Sequence, residues 1–286
     1  MKTAGRRSVD WPGVLLTVWG VATLLFLFLP VILITVYSFN SGQALVVWKG
    51  FSTEPFNTAL DNPQLTGPMT TSVKVAVGAA VIATVLGTLA GIALGRRSGR
   101  WTVLFLGLIA LVLVTPEIVD GIAMLLWFVE LGSVNGLGFF DSGLVRLFIG
   151  TSLFAVAVVT LIVRARVAGL DEALEDAAAD LYATPLARFL QITMPLLAPA
   201  VISGALLAFS LSLDNTIIAQ FVSTGQTSTW PVFVWGQVRQ GLNPEVAAMS
   251  TLLLLLTLVS LVAVALVLRR TGAQSKQIAT TMMGGQ

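Results

Sequence analysis

The chain has 286 residues and contains no cysteine and no histidine. It therefore cannot form disulfides, use a thiolate nucleophile or build a catalytic triad on imidazole, and most zinc and haem sites are excluded as well. Charge is also scarce, since charged residues make up 10% of the chain, against about 25% in a typical soluble domain. The formal net charge of +2 is too small to indicate nucleic-acid binding. These absences exclude most of the chemistry of soluble enzymes.

Apolar sequence takes the place of charge. Hydrophobic residues make up 56% of the chain, and the mean hydropathy is +0.91. A helix needs about 20 apolar residues to cross about 30 Å of hydrocarbon. Long stretches nearly free of charge predict an all-α, polytopic membrane protein with six transmembrane helices, at about residues 14–36, 74–96, 101–128, 147–163, 199–221 and 246–268. Because Glu117 and Asp120 interrupt the third stretch, we interpret it as one broken span.

The basic residues predict the orientation. An even number of spans places both termini on one side, and four of the sixteen basic residues fall on the other side: Lys49, Lys74, Arg146 and Arg239. The remaining twelve mark the cytoplasmic side by the positive-inside rule. We therefore expect a cytoplasmic N-terminal segment at 1–13, a transmembrane domain at 14–268 and a cytoplasmic C-terminal tail at 269–286. The twelve are Lys2, Arg6, Arg7, Arg96, Arg97, Arg100, Arg164, Arg166, Arg188, Arg269, Arg270 and Lys276.

The cytoplasmic loop 164–197, between the fourth and fifth spans, carries an unusual acidic stretch. Residues 171–180 hold five acids and no base, while Leu174, Ala177, Ala178 and Leu181 follow helical spacing along one face. Helices that lie on the inner leaflet favour Lys and Arg, because that leaflet is negative. An acidic helix with a narrow apolar face is more typical of docking into a groove on a partner protein. An ordinary solvated loop helix is the alternative.

The same loop resembles the EAA motif of ABC importer permeases. That motif reads Glu-Ala-Ala, three residues, Gly, nine residues, Ile-x-Leu-Pro, and this chain has Asp176-Ala177-Ala178, Tyr182 and Ile192-Thr193-Met194-Pro195 at the same spacing. Tyrosine replaces the motif glycine, which would adopt a positive φ more readily. The resemblance implies coupling helices that sit in a cleft of a cytoplasmic ATPase. The residues it assigns to coupling are Leu174, Glu175, Asp176, Ala177, Ala178, Leu181, Tyr182, Ile192 and Pro195.

Further segments resemble the spermidine/putrescine branch of that family, at residues 37–40, 115–121, 206–215, 231–235, 243–245 and 250–253. The resemblance implies a multi-pass permease of a bacterial cytoplasmic (inner) membrane that moves polyamines. Its implied partners are a cytoplasmic ATPase dimer, a second homologous permease subunit and an extracytoplasmic substrate-binding protein. None of the four lysines lies in a P-loop, so we expect this chain to bind no cofactor and the partner ATPase to use ATP and Mg.

Three acids, Glu117, Asp120 and Asp214, are bordered on both sides by long apolar sequence. Charge inside a membrane is costly enough to indicate a function. A rise of about 1.5 Å per residue places Glu117 and Asp214 at nearly the same depth. Carboxylates lining a pathway favour a cationic amine, to which aromatic rings such as Phe209 can add cation–π attraction. The predicted substrate pathway is Glu117, Asp120, Asp214, Asn215 and Trp127; no catalytic residue and no metal site are expected.

A structural alternative exists for Glu117. Thr115-Pro116-Glu117 also has the pattern of a helix start, with threonine as N-cap, proline in the first turn and an acid that offsets the helix dipole.

Two other functional classes fit the sequence less well. A self-contained ion-coupled secondary transporter of a cationic small molecule would use Glu117 or Asp214 as its coupling carboxylate, but no inverted repeat is evident. An intramembrane enzyme would need a nucleophile motif or a histidine base, and the sequence has neither Gly-x-Ser-x-Gly nor histidine.

Three glycines four residues apart, Gly87, Gly91 and Gly95, lie on one face of the second span. This spacing predicts close packing against another helix.

Overall fold

The computed structural model describes residues 11–45, 47–225, 227–239 and 241–283; the expectations for residues 1–10 and 284–286 lie outside it. Within these ranges, β-structure is limited to two isolated bridges, and the remainder is helix and loop. The helices are α1 (Trp11–Tyr37), α2 (Glu54–Asp61), α3 (Pro63–Arg96), α4 (Arg100–Val114), α5 (Glu117–Val129), α6 (Gly143–Val167), α7 (Ala173–Asp180), α8 (Pro185–Arg188), α9 (Met194–Leu213), α10 (Ile217–Val222), α11 (Trp230–Gln237) and α12 (Pro244–Met283).

Five helical segments of the described chain are long and apolar enough to cross a membrane: Gly13–Tyr37, Pro63–Arg96, Gly143–Val167, Pro185–Leu213 and Pro244–Val267. The helix α4 and the segment Glu117–Val134 together are long and apolar enough for one more span, and they meet at an angle of 104°. The all-α prediction is confirmed, and the spans number six when this bent pair, the expected broken third span, is counted as one.

The fifth span is the one whose predicted bounds differ most. It begins at Pro185 instead of Pro199, because Thr184 caps it: the Thr184 hydroxyl accepts a hydrogen bond from the Ala187 amide at 3.3 Å. A π-helical turn at Phe189–Thr193 then joins α8 to α9 without a break. The span ends at Leu213, where residues 214–216 leave the helix before α10. The C-terminal helix α12, which forms the last span, also continues beyond its predicted end at residue 268, to Met283.

Residues 11–62 and 241–252 form one compact unit. The apolar helix α1 is exposed along its span. The loop that follows is organised by the fully buried Asn40, whose side chain accepts from the amides of Gly42 and Lys49 and donates to the carbonyls of Ala44 and Val47. One amide side chain thus provides hydrogen-bond partners for two backbone amides and two backbone carbonyls of the loop.

Residues 63–240 and 253–283 form the second unit. Its centre is the packing of α3, α6 and α9, with a core of alanine, valine and leucine side chains. The three predicted glycines allow the close approach of α3 to α6. A Cβ added at Gly87, Gly91 or Gly95 would lie 2.7–2.8 Å from the Cβ of the facing valine, which is too close for any real pair of carbons. The predicted close packing is therefore observed.

At the other end of α6, a second apolar cluster joins α3, α5, α6 and α10 around the buried Phe128 and Leu147. Arg146 closes this end, because its guanidinium donates to the carbonyl of Phe140 at 2.5 Å and to the carboxylate of Asp141 at 2.9 Å. These contacts position α5 and α10, which border the intramembrane acids.

Candidate functional site

The acidic stretch of the loop folds as the short helix α7, as the spacing predicted. Its apolar side chains are not covered: Leu174 is 49% exposed and Leu181 is 81% exposed, and Ala177 is exposed as well. Exposed apolar side chains continue beyond the helix. We call the whole set the loop surface: Leu174, Ala177, Leu181, Tyr182, Leu186 and Leu190. A contiguous exposed apolar surface on a polar loop is typical of a protein interaction site.

Helix α7 ends at the position where tyrosine replaces the motif glycine. Tyr182 has φ of 59°, and no other non-glycine residue among those described has a positive φ. The Tyr182 amide donates to the carbonyl of Ala179 at 2.9 Å, and the Ala183 amide donates to that of Ala178 at 3.0 Å. This pair of bonds is the Schellman C-cap, which normally has glycine at its left-handed position. The backbone that the motif glycine would favour is thus present with tyrosine in its place.

Glu175 faces the membrane-spanning helices. Its carboxylate forms an ion pair with Arg96, the last residue of α3, and accepts a hydrogen bond from the Thr193 hydroxyl at 2.5 Å. Arg96 also donates to the Thr193 hydroxyl at 3.1 Å, so the three side chains form a closed cluster. The Thr193 hydrogen bond and the positive charge of Arg96 lower the pKa of Glu175. Glu175 therefore ties α7 to the ends of α3 and α9.

Two arginines hold the same ends together from α6. Arg164 donates to the carbonyl of Leu94 at 3.4 Å, and Arg166 donates to that of Leu196 at 3.2 Å. Leu94 lies in the last turn of α3, where helix carbonyls lack partners within the helix, and Leu196 lies in the first turn of α9. The predicted motif residues Ile192 and Pro195 lie here too, Ile192 half-buried in the π-helical turn and Pro195 exposed in the first turn of α9. The loop is therefore flanked by the ends of α3, α6 and α9, which are bonded to one another.

A cavity of about 810 Å³ lies at the opposite end of α9, and it brings together two of the predicted acids. Glu117, Asp214 and the predicted Asn215 all line it. Among the described residues, neither carboxylate has a hydrogen-bond or ion-pair partner. The other lining residues are Ser210, Leu211, Thr216, Ile217, Trp235, Thr257 and Leu261. We call this the acidic cavity.

Two interruptions of helical structure meet at the acidic cavity. Asp214 caps the C-terminus of α9, and the non-helical residues 214–216 separate α9 from α10. Glu117 is the first residue of α5, directly after the 104° bend. Discontinuous helices are a common way to build a binding site inside a membrane, because they leave backbone dipoles directed at the ligand.

The helix-start interpretation of Glu117 is correct in part. Glu117 does begin a helix, but Thr115 is not its N-cap: the Thr115 hydroxyl donates to the carbonyl of Leu111 at 2.7 Å, and Pro116 occupies the cap position. The acid therefore lies in the first turn of α5 and also faces the cavity.

Asp120, Trp127 and Phe209 are not among the residues that line the acidic cavity. Trp127 packs its ring against Phe128 and Phe140, with centroids 5.5 and 5.8 Å apart. Phe209 packs against the core shared by α3, α6 and α9. The aromatic residue that does line the cavity is Trp235, which was not among the expected pathway residues.

Comparison with known proteins identifies the family. Residues 83–273 match the family described as "Binding-protein-dependent transport system inner membrane component". The chain is 36% identical over 243 residues to the putrescine transport system permease protein PotI of Escherichia coli K12, covering 82% of this chain and 85% of that protein. It is 33% identical over 244 residues to the spermidine/putrescine transport system permease protein PotC of the same organism, covering 85% and 90%.

The chain belongs to the binding-protein-dependent transport system inner membrane components. It is therefore a multi-pass permease subunit and not an enzyme, as predicted, and its family implies an ATPase and a substrate-binding protein as partners.

The fold is that of a solved ABC transporter. A bacterial ABC transporter involved in the import of the acidic polysaccharide alginate matches with a TM-score of 0.64, covering 94% of this chain and 99% of that chain at 15% identity. At that identity the likeness concerns the fold of the permease alone.

The sequence did not predict some of the residues that form the two sites. Arg96 was noted only as a marker of membrane side, and Thr193 only as the variable position of the Ile-x-Leu-Pro segment, yet both bind Glu175 in this permease. Trp235 and Thr257 line the acidic cavity from helices that follow the acids in sequence. No spacing rule links such distant positions, because only the packing of the helices brings them together.

Proposed function

We propose that this permease subunit carries a putrescine- or spermidine-class polyamine across the cytoplasmic membrane, and that the substrate passes through the acidic cavity. The observation that carries the proposal is the shared cavity of Glu117 and Asp214, two carboxylates without a partner among the described residues. An extended alkyl chain with two or more ammonium groups matches a cavity that holds two acids together with the apolar side chains of Leu211, Ile217 and Leu261. The names of the relatives PotI and PotC support the same substrate class.

The local electrostatics support a cation. Asp214 adds its charge to the C-terminal end of α9, whose unpaired carbonyls already form the negative end of a helix dipole. The N-terminus of α5 is positive and works against a cation, but Glu117 in its first turn offsets that charge. Trp235 offers a ring face to an ammonium group, which adds cation–π attraction. The volume of about 810 Å³ falls within the range of about 300–1,000 Å³ that is usual for small-molecule sites.

We further propose that the loop surface docks into a groove of a cytoplasmic ATPase dimer, which uses ATP and Mg, while this chain binds neither. The exposed Leu181, Tyr182 and Leu186 would enter the groove, and the exposed acids Asp171, Glu172 and Asp176 favour basic residues around it. A cytoplasmic position of the loop places both termini in the cytoplasm. A second homologous permease subunit completes the pathway, and an extracytoplasmic binding protein delivers the substrate.

Helix α9 supplies the route between the two sites. It spans 20 residues, or about 30 Å at 1.5 Å per residue. The Glu175–Thr193 hydrogen bond lies at one of its ends and Asp214 at the other. Closure of the ATPase would move α7, and α9 would transmit that movement to the cavity, giving alternating access.

The test is reconstitution of the chain with its partner permease, ATPase and binding protein in vesicles, followed by measurement of ATP hydrolysis and uptake. We expect putrescine or spermidine to stimulate both, and a neutral sugar or an inorganic anion to stimulate neither. The matched variants Asp214→Asn and Asp120→Asn separate the cavity acid from an acid that does not line it. If the anion stimulates ATP hydrolysis and uptake, or if none of the amines does, the polyamine proposal is contradicted, while the family assignment is unchanged.

A further inference from the structure

A second cavity lies between α3 and α4, at the end of the molecule where the loop is. Its volume is about 410 Å³, and its wall is mainly apolar. The residues that line it are Ala90, Ala93, Leu94, Arg97, Ser98, Gly99, Trp101, Thr102 and Phe105. It shares no residue with the acidic cavity or with the loop surface.

The polar and apolar parts of this cavity are separated along the axes of α3 and α4. Arg97, Ser98 and Gly99 belong to the turn between the two helices, where a membrane-spanning α3 would reach the membrane surface. Ala90 lies six residues before the end of α3, and Phe105 five residues after the start of α4, which places the apolar wall about 8–9 Å deeper at 1.5 Å per residue. The cavity therefore has a basic mouth at headgroup level and an apolar interior at acyl-chain level.

The charge at the mouth is not neutralised by the protein. Arg97 lines the cavity, and Arg100 lies in sequence between the lining residues Gly99 and Trp101. Both arginines are exposed, and neither has an ion-pair partner among the described residues. The neighbouring Arg96 differs, because Glu175 pairs with it. Two unpaired arginines beside an apolar cavity are complementary to an amphiphile that is anionic at one end. Basic pockets between helices on the cytoplasmic side of a membrane are typical binding sites for anionic lipid headgroups.

We propose that this cavity binds one anionic phospholipid of the inner leaflet. Its phosphate lies at Arg97 and Arg100, its glycerol region lies beside Ser98 and the ring of Trp101, and one acyl chain enters between Ala93, Leu94 and Phe105. Trp101 is 75% exposed, as a tryptophan at the membrane interface commonly is. The bound lipid fills the gap between α3 and α4.

The test uses the assembled transporter, purified with its partner subunits and offered equal amounts of phosphatidylglycerol and phosphatidylcholine. Native mass spectrometry then counts the lipids retained. We expect phosphatidylglycerol to be retained in preference, and Arg97→Gln with Arg100→Gln to weaken its binding about fivefold for each arginine removed. The control is Arg239→Gln, which removes the same charge from an exposed arginine outside the cavity and leaves the preference unchanged.

A second measurement identifies what occupies the cavity. Because the chain has no cysteine, Ala93→Cys supplies its only thiol, to which a photoactivated benzophenone group can be attached. Illumination is expected to give a lipid adduct on this chain. An adduct with another protein subunit would overturn the proposal, because the cavity would then be part of a protein interface. Equal retention of both lipids, or unchanged retention in the double variant, would also overturn it.

Discussion

Glu175 on the loop helix α7 forms an ion pair with Arg96 at the end of α3. The same carboxylate accepts the Thr193 hydroxyl, so one acid links α7 to two membrane-spanning segments. The other acids of α7, Asp176 and Asp180, are exposed and form no ion pair among the described residues. The helix therefore has an inner face fixed by one charge and an outer face that remains open to a partner.

The first prediction concerns this link. Glu175→Gln and Arg96→Gln should each weaken the cluster by about 1 kcal/mol, since both side chains are partly exposed. ATP hydrolysis should continue while the number of substrates moved per ATP falls. The measurement compares uptake with hydrolysis in vesicles, and Asp180→Asn, at an exposed acid of the same helix outside the cluster, serves as the control. A ratio equal to that of the wild type in both variants would show that the link carries no coupling.

The pH dependence of the link follows from the lowered pKa of Glu175. A carboxyl whose pKa is lower in the folded protein contributes stability that is complete above its unfolded pKa and is lost as the pH falls through the folded value. The ordinary value is 4.5. We therefore expect the same amide exchange protection of α7 from pH 8 down to about pH 5, and loss of protection only below pH 4.5. Loss of protection between pH 7 and 5 that Glu175→Gln abolishes would contradict this.

The left-handed backbone of Tyr182 gives a third prediction. Tyr182→Gly should stabilise the end of α7 by up to about 1 kcal/mol, because only glycine adopts this conformation without steric cost. Amide exchange at Ala183 should slow accordingly. Tyr182→Ala removes the ring and keeps the strain, so it serves as the matched control. If the exposed ring binds the ATPase, both variants should weaken that association equally; a defect in the glycine variant alone would assign the role to the backbone.

Close packing of α3 against α6 can be tested at Gly91. A Cβ at this position would meet the Cβ of Val163 at 2.8 Å and the carbonyl oxygen of Thr160 at 2.9 Å, and the backbone atom cannot move aside cheaply. Gly91→Ala should therefore lower stability by about 1–3 kcal/mol, measured as thermal unfolding in detergent. Gly107→Ala in α4 is the control, because nothing lies within 4 Å of its added Cβ. Equal melting temperatures of the Gly91→Ala and Gly107→Ala variants would contradict close packing at Gly91.

The acidic cavity gives the fifth prediction. Asp214→Asn and Glu117→Gln should each reduce polyamine uptake about tenfold, equivalent to about 1.4 kcal/mol, because each removes one of two carboxylates that face the substrate. Asp120→Asn should have little effect, since Asp120 does not line the cavity. Uptake of labelled putrescine at a fixed ATP concentration measures all three. A larger defect in the Asp120 variant than in the Asp214 variant would place the pathway elsewhere.

Much of this architecture could be predicted from the sequence. Apolar runs predicted the spans because the membrane selects them by length and hydropathy alone. Helical spacing predicted α7, and the run of acids predicted its exposure. The broken third span was recognised from Glu117 and Asp120, although the 104° bend itself depends on packing of the second half.

The differences between expectation and structure have a common physical cause. The fifth span was expected to begin at Pro199, but Thr184 and Pro185 start it earlier by capping a helix that proline tolerates in its first turn. Trp127 and Phe209 were expected near the substrate because they are near the acids in sequence; their rings pack against other side chains and do not line the acidic cavity, and their place in the pathway stays a prediction. Trp235 lines the cavity from a distant segment. Which residues line a cavity depends on which helix faces pack against each other, and the hydropathy of a sequence contains no information about that packing.

The glycine seam between α3 and α6 also limits how this permease can move. The backbone of α3 at Gly87, Gly91 and Gly95 lies directly against Val159, Val163 and Val167 of α6, with no room for a Cβ. A rotation of α3 that turned larger residues toward those valines would therefore cause a clash. Arg164 and Arg166 add bonds from α6 to the ends of both neighbours. We therefore expect the three-helix core to move as a single block. Under the proposed alternating access, the bending that opens and closes a pathway is expected at the two places where the helices are already interrupted.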